Sequence, residues 1–285
     1  MSLLRNLVLM GIRSLPFRAA RHRHFLRSKA STLGEAALAD KKTRVLVLGV
    51  YLADRPNSAE HLNQRFASAE PLVVEQRWVA MNGAPSSPQL GEVTSLRVVR
   101  PEPKFALINK LLQPGDLADF DFIIACDDDI FLPANFLPVF IAYQQMFGFS
   151  IAQPARAWHS FFDHAFVLRR PGLLARETRF VESGPLVSFR RDAAQLLMPF
   201  DADSQMWGLD FVWPEVIGRH GLTMGIIDGI SVDHSLRPQA TSYKKGEQDA
   251  AMYRYLAATP HLSMQEAFRV VKRYWAAPVL GNRPG

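Results

Sequence analysis

One stretch of the chain is apolar without alternation and ends in three consecutive aspartates. Residues 122–126 read Phe-Ile-Ile-Ala-Cys, and Asp127, Asp128 and Asp129 follow directly. An unbroken apolar run of this kind is typical of a strand covered on both faces of an α/β sheet. Three adjacent carboxylates repel one another and lose hydration there, unless a cation or hydrogen-bond donors compensate. The stretch therefore predicts a buried strand that delivers acidic side chains to a binding site.

The rest of the pattern places this strand within an alternation of strands and helices. Residues 44–52 predict a further buried strand and residues 72–81 a second strand, with a helix between them. Such alternation is typical of a three-layer α/β/α sandwich with a mostly parallel central sheet. Ligands bind these sheets at the carboxyl ends of the strands. Near the end of the chain, Ser263 and Glu266 have the spacing of a capping box, which predicts a last helix through Trp275.

The charge of the chain is concentrated at one end. Residues 1–44 hold ten Lys and Arg against two Asp and Glu, a net +8 in a chain whose total is +6, so the other 241 residues carry −2. A nucleic-acid-binding domain would carry a basic face on its folded body, so nucleic acid is not an expected partner. We divide the chain into a basic N-terminal extension, residues 1–43, and a single domain, residues 44–285.

The extension has the pattern of a basic amphipathic helix. Its longest apolar run, residues 7–12, is far shorter than the roughly 20 residues that span a bilayer. A helix on an anionic membrane surface fits the pattern, and so does a solvated extension or a helix packed on the body. The one cysteine, Cys126, lies inside the predicted strand and fits a reducing compartment. We therefore expect a cytoplasmic protein, located at the inner membrane face if the extension binds lipid.

Three motifs follow one another along the domain. Asp127 and Asp129 have the Asp-x-Asp spacing that puts two side chains on the same side of an extended segment. About eighty residues later, the sequence from Trp207 to Asp210 reads Trp-Gly-Leu-Asp, and a strand-like run then ends at His234. Taken singly, each motif also fits a plain structural role: an acidic turn, a helix start or a structural histidine.

In this order the motifs resemble those of the metal-dependent glycosyltransferases of the GT-A fold, especially the inverting kind related to β-1,4-galactosyltransferases. A closer likeness, to a family of unknown function thought to share that fold, spans roughly residues 44–236. It adds segments at residues 103–105, 117–122 and 180–182. The chain departs from the galactosyltransferase pattern in having a single Asp after Trp-Gly and a His234 outside a His-x-His. The resemblance implies a GT-A-like fold and a hexosyltransferase that uses a nucleotide-diphosphate sugar.

The resemblance also implies roles for individual residues. Asp127, Asp129 and His234 would hold Mn²⁺ or Mg²⁺, which neutralises the leaving diphosphate. Asp210 would accept the proton of the acceptor hydroxyl. UDP is the nucleotide implied by default. The residues expected to bind the donor are Asp54, Lys104, Asp127, Asp128, Gly184, Trp207 and Arg237.

A second polar cluster lies among aromatic residues. His159, Asp163 and His164 are of metal-ligating types, but their loose spacing favours the lining of an acceptor cleft or a satisfied core over a metal site.

Three classes of function stay open. The first is a glycosyltransferase with a glycan or lipid-linked acceptor, in surface polysaccharide or glycoconjugate synthesis. The second is a metal-dependent phosphoesterase, because Asp clusters with His also form two-metal sites. That chemistry usually needs more histidines near the carboxylates than this chain has. The third is a binding protein that keeps the fold without turnover.

Overall fold

The structure is a computed structural model that describes residues 43–100, 102–201, 207–238 and 245–276, without the side chains of residues 245–248. The predicted N-terminal extension lies outside these ranges apart from its last residue. Within them, no helix combines the length and the apolar character needed to cross a bilayer.

In the described ranges, nine strands form one sheet in the order β3-β2-β1-β4-β7-β5-β8-β6-β9. They are β1 Arg44–Leu52, β2 Val73–Met81, β3 Thr94–Val98, β4 Phe122–Cys126, β5 Ile151–Arg156, β6 Ala175–Thr178, β7 Leu186–Arg190, β8 Met224–Val232 and β9 Val270–Tyr274. The pairing of neighbours leaves only β6 and β7 of these strands running against the others. The sheet is therefore mixed but mostly parallel, as the alternation predicted.

Helices cover both faces of this sheet. In the same part of the chain they are α1 Ala59–Ala67, α2 Pro88–Val93, α3 Lys104–Leu111, α4 Asp116–Asp119, α5 Phe136–Phe147, α6 Arg191–Leu197, α7 Leu209–Arg219, α8 Lys245–Ala258 and α9 Met264–Ala267. One apolar cluster packs α1 and α5 against the sheet, and a second packs α3, α6 and α7 against it.

β1 shows how the sequence produces the three layers. Val45 and Val47 belong to the first apolar cluster, Leu46 and Leu48 to the second, and all four are fully buried. Because successive side chains of a strand point to opposite faces, a strand covered on both sides needs apolar residues at every position. The three-layer α/β/α fold class is therefore confirmed.

The strand order explains which segments meet at the acidic end of β4. β7 runs antiparallel to β4, so Pro185, just before β7, lies beside the triplet and its carbonyl accepts a hydrogen bond from Asp127 N at 2.7 Å. β5 and β8 are parallel neighbours that end together, with Arg156 opposite Val232. The carboxyl ends of β1, β4, β5 and β8 consequently share one edge of the sheet.

The prediction of a last helix through Trp275 was wrong. The capping box of Ser263 and Glu266 is present with both of its hydrogen bonds, but α9 ends at Ala267. The chain then forms β9, which pairs with β6. The adjacent Val270 and Val271 favour a strand, and pairing satisfies the backbone groups that β6 would otherwise expose at an edge.

Candidate functional site

The three carboxylates that follow β4 each contact a basic side chain from another segment of the chain. The pairs are Asp127 with Lys104, Asp128 with Arg237, and Asp129 with His234. None of the three carboxylate side chains is more than 31% exposed. The repulsion expected within the triplet is therefore offset by side chains of the protein itself.

Asp127 lies in a close group with Lys104 and Gly184. Lys104 Nζ is 2.6 Å from Asp127 Oδ1 and donates to Ser183 O at 3.1 Å, and the lysine side chain is only 8% exposed. A Cβ at Gly184 would lie 2.7 Å from Asp127 Oδ2. Glycine is thus required for the backbone to approach the carboxylate this closely. The structure brings together three of the residues predicted to bind the donor.

Asp128 is buried and turned toward the end of β1. Its Oδ2 accepts a hydrogen bond from Leu52 N at 2.7 Å, and both carboxylate oxygens contact Arg237. Burial raises the pKa of Asp128 to about 6, in spite of the bonds from Arg237. Arg237 also donates to Pro56 O at 2.8 Å. Arg237 thereby ties the segment after β8 to the loop after β1, where the predicted donor-binding residue Asp54 lies.

Asp129 and His234 carry the two atoms that best fit a divalent cation. Asp129 Oδ1 and His234 Nε2 are 3.1 Å apart, both are buried, and neither has a hydrogen-bond partner in the described part of the chain other than the other atom of the pair. Two neighbouring ligand atoms of Mg²⁺, each roughly 2.1 Å from the ion, lie about 3 Å apart. Carboxylate oxygen and imidazole nitrogen are also ligands that Mn²⁺ accepts. The pair fits two positions of a shell that phosphate oxygens and water would complete.

The other nitrogen of the His234 ring sets a condition on cation binding. Arg156 Nη1 lies 3.1 Å from His234 Nδ1, and a guanidinium can only donate. In this state Nδ1 accepts, so a neutral ring carries its proton on Nε2, facing Asp129. Binding a cation through Nε2 requires the proton on Nδ1 instead. Cation binding by His234 and its hydrogen bond from Arg156 therefore exclude each other.

The predicted set of three metal ligands is not gathered in one place. Across the ranges that the structure covers, no group of three or more His, Cys, Asp or Glu side chains is arranged to hold a metal ion. Asp127 is engaged by Lys104, whereas Asp129 and His234 face each other. The geometry supports two protein ligands, and the role of Asp127 as a third stays a prediction.

Asp210 lies in the first turn of α7 with a buried oxygen. In the part of the chain that is described, its Oδ1 has no hydrogen-bond partner. Burial, followed by the negative charge of Glu182, raises the pKa of Asp210 to about 7. A carboxylate with a pKa near neutral is suited to accept a proton from a substrate hydroxyl. Trp207 lies just before α7, and its donor-binding role, like that of Asp54, stays a prediction.

Arg156, which the sequence analysis did not single out, links the Asp129–His234 pair to Glu182, whose charge acts on Asp210. It is 2% exposed at the end of β5. Nη1 donates to Phe161 O at 2.9 Å and approaches His234, while Nη2 contacts the Glu182 carboxylate and donates to Gly184 O at 2.9 Å. A charged residue at the end of an apolar strand is the signal that also marks the Asp triplet, and it could have identified Arg156.

The two histidines of the second polar cluster, His159 and His164, have different partners. His159 Nε2 lies 3.0 Å from Asp233 Oδ2, and both side chains are buried. His164 instead contacts Glu182, with 3.1 Å from Nδ1 to Oε1. Asp163 is also influenced by Glu182: burial, followed by the negative charge of Glu182, raises the pKa of Asp163.

Comparison with known proteins gives a distant likeness of fold. No protein-family model matches the chain, and no curated protein matches its sequence. Among solved structures, GalNAc-T7 with UDP, GalNAc and Mn²⁺ is similar with a TM-score of 0.48 and 13% identity over 69% of this chain. The chain covers 44% of that protein's length. A mycobacterial protein is similar with a TM-score of 0.47 and 15% identity, over 80% of this chain and 78% of that one. At these values neither likeness identifies the reaction.

Proposed function

We propose that the chain is a metal-dependent glycosyltransferase. It moves a hexose from a nucleotide-diphosphate donor, with UDP as the default nucleotide, to an acceptor hydroxyl with inversion. The observation that carries the proposal is the buried pair of Asp129 Oδ1 and His234 Nε2, which have no hydrogen-bond partner in the described residues other than each other. Arg237 lies 3.5 Å from Asp129, and Lys104 pairs with the nearby Asp127. This group lies at the strand edge where open α/β sheets bind ligands.

The basic side chains suit the diphosphate of such a donor. The side chains of Lys104 and Arg237 are 8% and 14% exposed, so their charges are poorly solvated. A phosphate oxygen would interact more strongly with such charges than with fully hydrated ones. Asp129 and His234 would hold the divalent cation, which when bound neutralises charge on the leaving diphosphate. Gly184 lets the backbone pack closely against the carboxylate of Asp127, which is itself proposed to bind the donor.

Asp210 is the group proposed to accept the proton of the acceptor hydroxyl. Its pKa of about 7 keeps a large fraction ionised at neutral pH while leaving it basic enough to take a proton. The aromatic residue Trp207 would stack on a sugar face. The acceptor is proposed to be a glycan or a lipid-linked sugar, used in the synthesis of surface polysaccharide or glycoconjugate, in the cytoplasm or at the inner membrane face.

The test is calorimetric titration of UDP, GDP and dTDP into the full chain, with Mn²⁺ and with EDTA. We expect Mn²⁺-dependent binding of one nucleotide, and at least a tenfold loss of affinity in Asp129→Asn, because the cation loses a charged ligand. Asp210→Asn should bind the nucleotide normally but lose turnover of the matching nucleotide sugar. Asp119→Asn is the matched control, because Asp119 is exposed before the start of β4, at its opposite end.

Each other outcome points to another class of function. Mn²⁺-dependent hydrolysis of a phosphodiester without nucleotide binding would support a phosphoesterase. Nucleotide binding without transfer or hydrolysis from any nucleotide sugar would support a binding protein that keeps the fold. Full transfer activity in Asp210→Asn would show that another residue is the base.

A further inference from the structure

Glu182 holds both the backbone and the ring of His164. Its Oε1 accepts from His164 N at 3.1 Å and lies 3.1 Å from His164 Nδ1, while Oε2 contacts Arg156. Burial acts to raise the pKa of Glu182, but Arg156 and the bonds from His164 outweigh it, so the pKa lies below its usual value. Glu182 is therefore an anion that accepts a hydrogen bond from Nδ1–H and fixes the plane of the imidazole.

The orientation of the His164 ring follows from these contacts. With Nδ1 donating to Glu182, Nε2 is the nitrogen that can gain or lose a proton. Ring packing holds this orientation, with 5.3 Å between the centroids of His164 and Phe180 and 4.9 Å between those of His164 and Phe268. The His164 side chain is 29% exposed, so Nε2 can exchange protons with water.

Helix α7, which carries Asp210, packs against the same aromatic group. The adjacent Phe211 packs on Phe180 with 5.5 Å between ring centroids, and Leu262 N donates to Phe211 O at 3.0 Å. Phe180 thus contacts the ring of His164 on one side and the residue after Asp210 on the other. The charged or titratable groups that act on His164 are Glu182, Asp163 and Asp210, with Arg156 behind Glu182.

We propose that His164 is a positioning residue which, held by Glu182, controls how tightly Asp210 holds its proton. The proposal rests on the proposed role of Asp210 as the base. A protonated imidazole attracts the ionised carboxylate of Asp210, whereas the Glu182 anion repels it. His164 therefore offsets the charge of Glu182, and it keeps Asp210 ionised when the acceptor hydroxyl arrives.

The electrostatic balance on each group agrees with this arrangement. For His164, burial acts to lower the pKa, but the hydrogen bond and the charge of Glu182, with Asp210 and Asp163, outweigh it and raise the pKa. The imidazole thus stays protonated to a higher pH than an ordinary histidine. For Asp210, burial and Glu182 act to raise the pKa and His164 acts to lower it. The charge of each group therefore shifts the pKa of the other.

The test is an NMR titration of the full chain labelled with ¹³C at the carboxyl carbon of aspartate, with the Asp210 signal assigned by its loss in Asp210→Asn. We expect the midpoint of Asp210 to rise by about 0.5–1 pH unit in His164→Gln, because the compensating cation is lost. His220→Gln is the matched control, since His220 is exposed at the far end of α7 and should leave the midpoint unchanged.

Two results would overturn the proposal. One is an unchanged Asp210 midpoint in folded His164→Gln. If that variant does not fold, wild-type protein labelled also at histidine ¹³Cε1 decides, because coupled groups must each show the titration of the other in their curves. Independent single-step curves would be the second contrary result. Neither measurement uses a nucleotide-sugar donor. A result that contradicts the role of His164 would therefore leave the nucleotide-binding test of the proposed function unaffected.

Discussion

Neighbours in the acidic triplet do not share a role. Asp128 is buried against the backbone of β1, whereas Asp127 lies beside Gly184 and Asp129 beside His234. The Asp-x-Asp spacing predicts that Asp127 and Asp129 share a side. The backbone instead bends at Asp128 and Asp129, and Asp127 and Asp129 contact different partners. Lys104, Arg237 and His234 were expected at the site. Their pairing with individual carboxylates could not be predicted, because these residues come from segments that are distant in sequence and meet the triplet only through the strand order.

Gly184 offers a test of this close packing. In Gly184→Ala the new Cβ would lie 2.7 Å from Asp127 Oδ2, so the Asp127 carboxylate must move and its ion pair with Lys104 must lengthen. We expect the variant to fold and to bind the UDP–Mn²⁺ complex about tenfold more weakly, measured by calorimetry.

A glycine on the exposed surface of α7 provides the control. A Cβ at Gly218 has nothing within 4 Å, so Gly218→Ala should leave nucleotide affinity unchanged and stabilise the helix slightly. Equal affinity in Gly184→Ala and wild type would show that Asp127 does not depend on this packing.

Asp210 should reduce the stability of the fold at neutral pH. Its pKa is about 7 in the folded protein against an ordinary 3.8, so the folded state holds the proton more tightly than the unfolded state. The destabilisation is absent below pH 3.8, grows as pH rises to about 7 and is constant above. Asp210→Asn removes it, and we expect a gain of about 4 kcal/mol at pH 8 that shrinks toward pH 5, measured by urea unfolding.

The same unfolding series on Asp119→Asn should show no comparable dependence on pH. An equal change of stability in Asp210→Asn at pH 5 and pH 8 would contradict the raised pKa. The expected combination of higher stability and lost turnover is typical of a residue kept for function in an unfavourable environment.

At the level of elements, the first half of the chain was more predictable than the second. β1 and β4 are mostly apolar runs, β2 ends in one, and helices lie between these strands, so each can be predicted from its own sequence. From β5 onward the sheet includes short antiparallel strands whose partners lie far apart in sequence. β9 shows the consequence, since the capping box before it is a local signal, whereas the strand itself depends on pairing with the distant β6.

Contact between neighbouring strands also restricts which residue type fits at a single position. Gly49 of β1 is the register partner of Trp78 of β2, and a Cβ at Gly49 would lie 2.2 Å from the fully buried Trp78 ring. The ring cannot move within a packed core. We expect Gly49→Ala to destabilise the protein by about 1–3 kcal/mol, measured as a lower urea midpoint with an unchanged slope.

Gly91→Ala in α2 is the control for backbone effects of alanine. The nearest atom to its Cβ would be 4.0 Å away, so the variant should be as stable as wild type or slightly more stable. If Gly49→Ala were as stable as Gly91→Ala, the close contact between β1 and β2 would not constrain the fold.

At the scale of the whole molecule, charge separates the chain into two parts with different properties. The body is close to neutral, with basic side chains of its own paired to the triplet, whereas residues 1–30 carry seven Lys and Arg and no Asp or Glu. The residues of the candidate site run from Asp54 to Arg237, outside this basic segment. Folding and nucleotide binding should therefore belong to the body, and any attraction to anionic surfaces to the basic extension.

Deleting residues 1–30 tests this division. We expect the shortened chain to unfold cooperatively and to bind UDP with Mn²⁺ as the full chain does, because the residues of the site all lie in the body. In sedimentation with vesicles, the full chain should bind phosphatidylglycerol but not phosphatidylcholine, and the shortened chain should bind neither. Binding of the full chain should also weaken with salt, because surface charges are screened. Loss of cooperative unfolding in the shortened chain would show that the extension is part of the folded core.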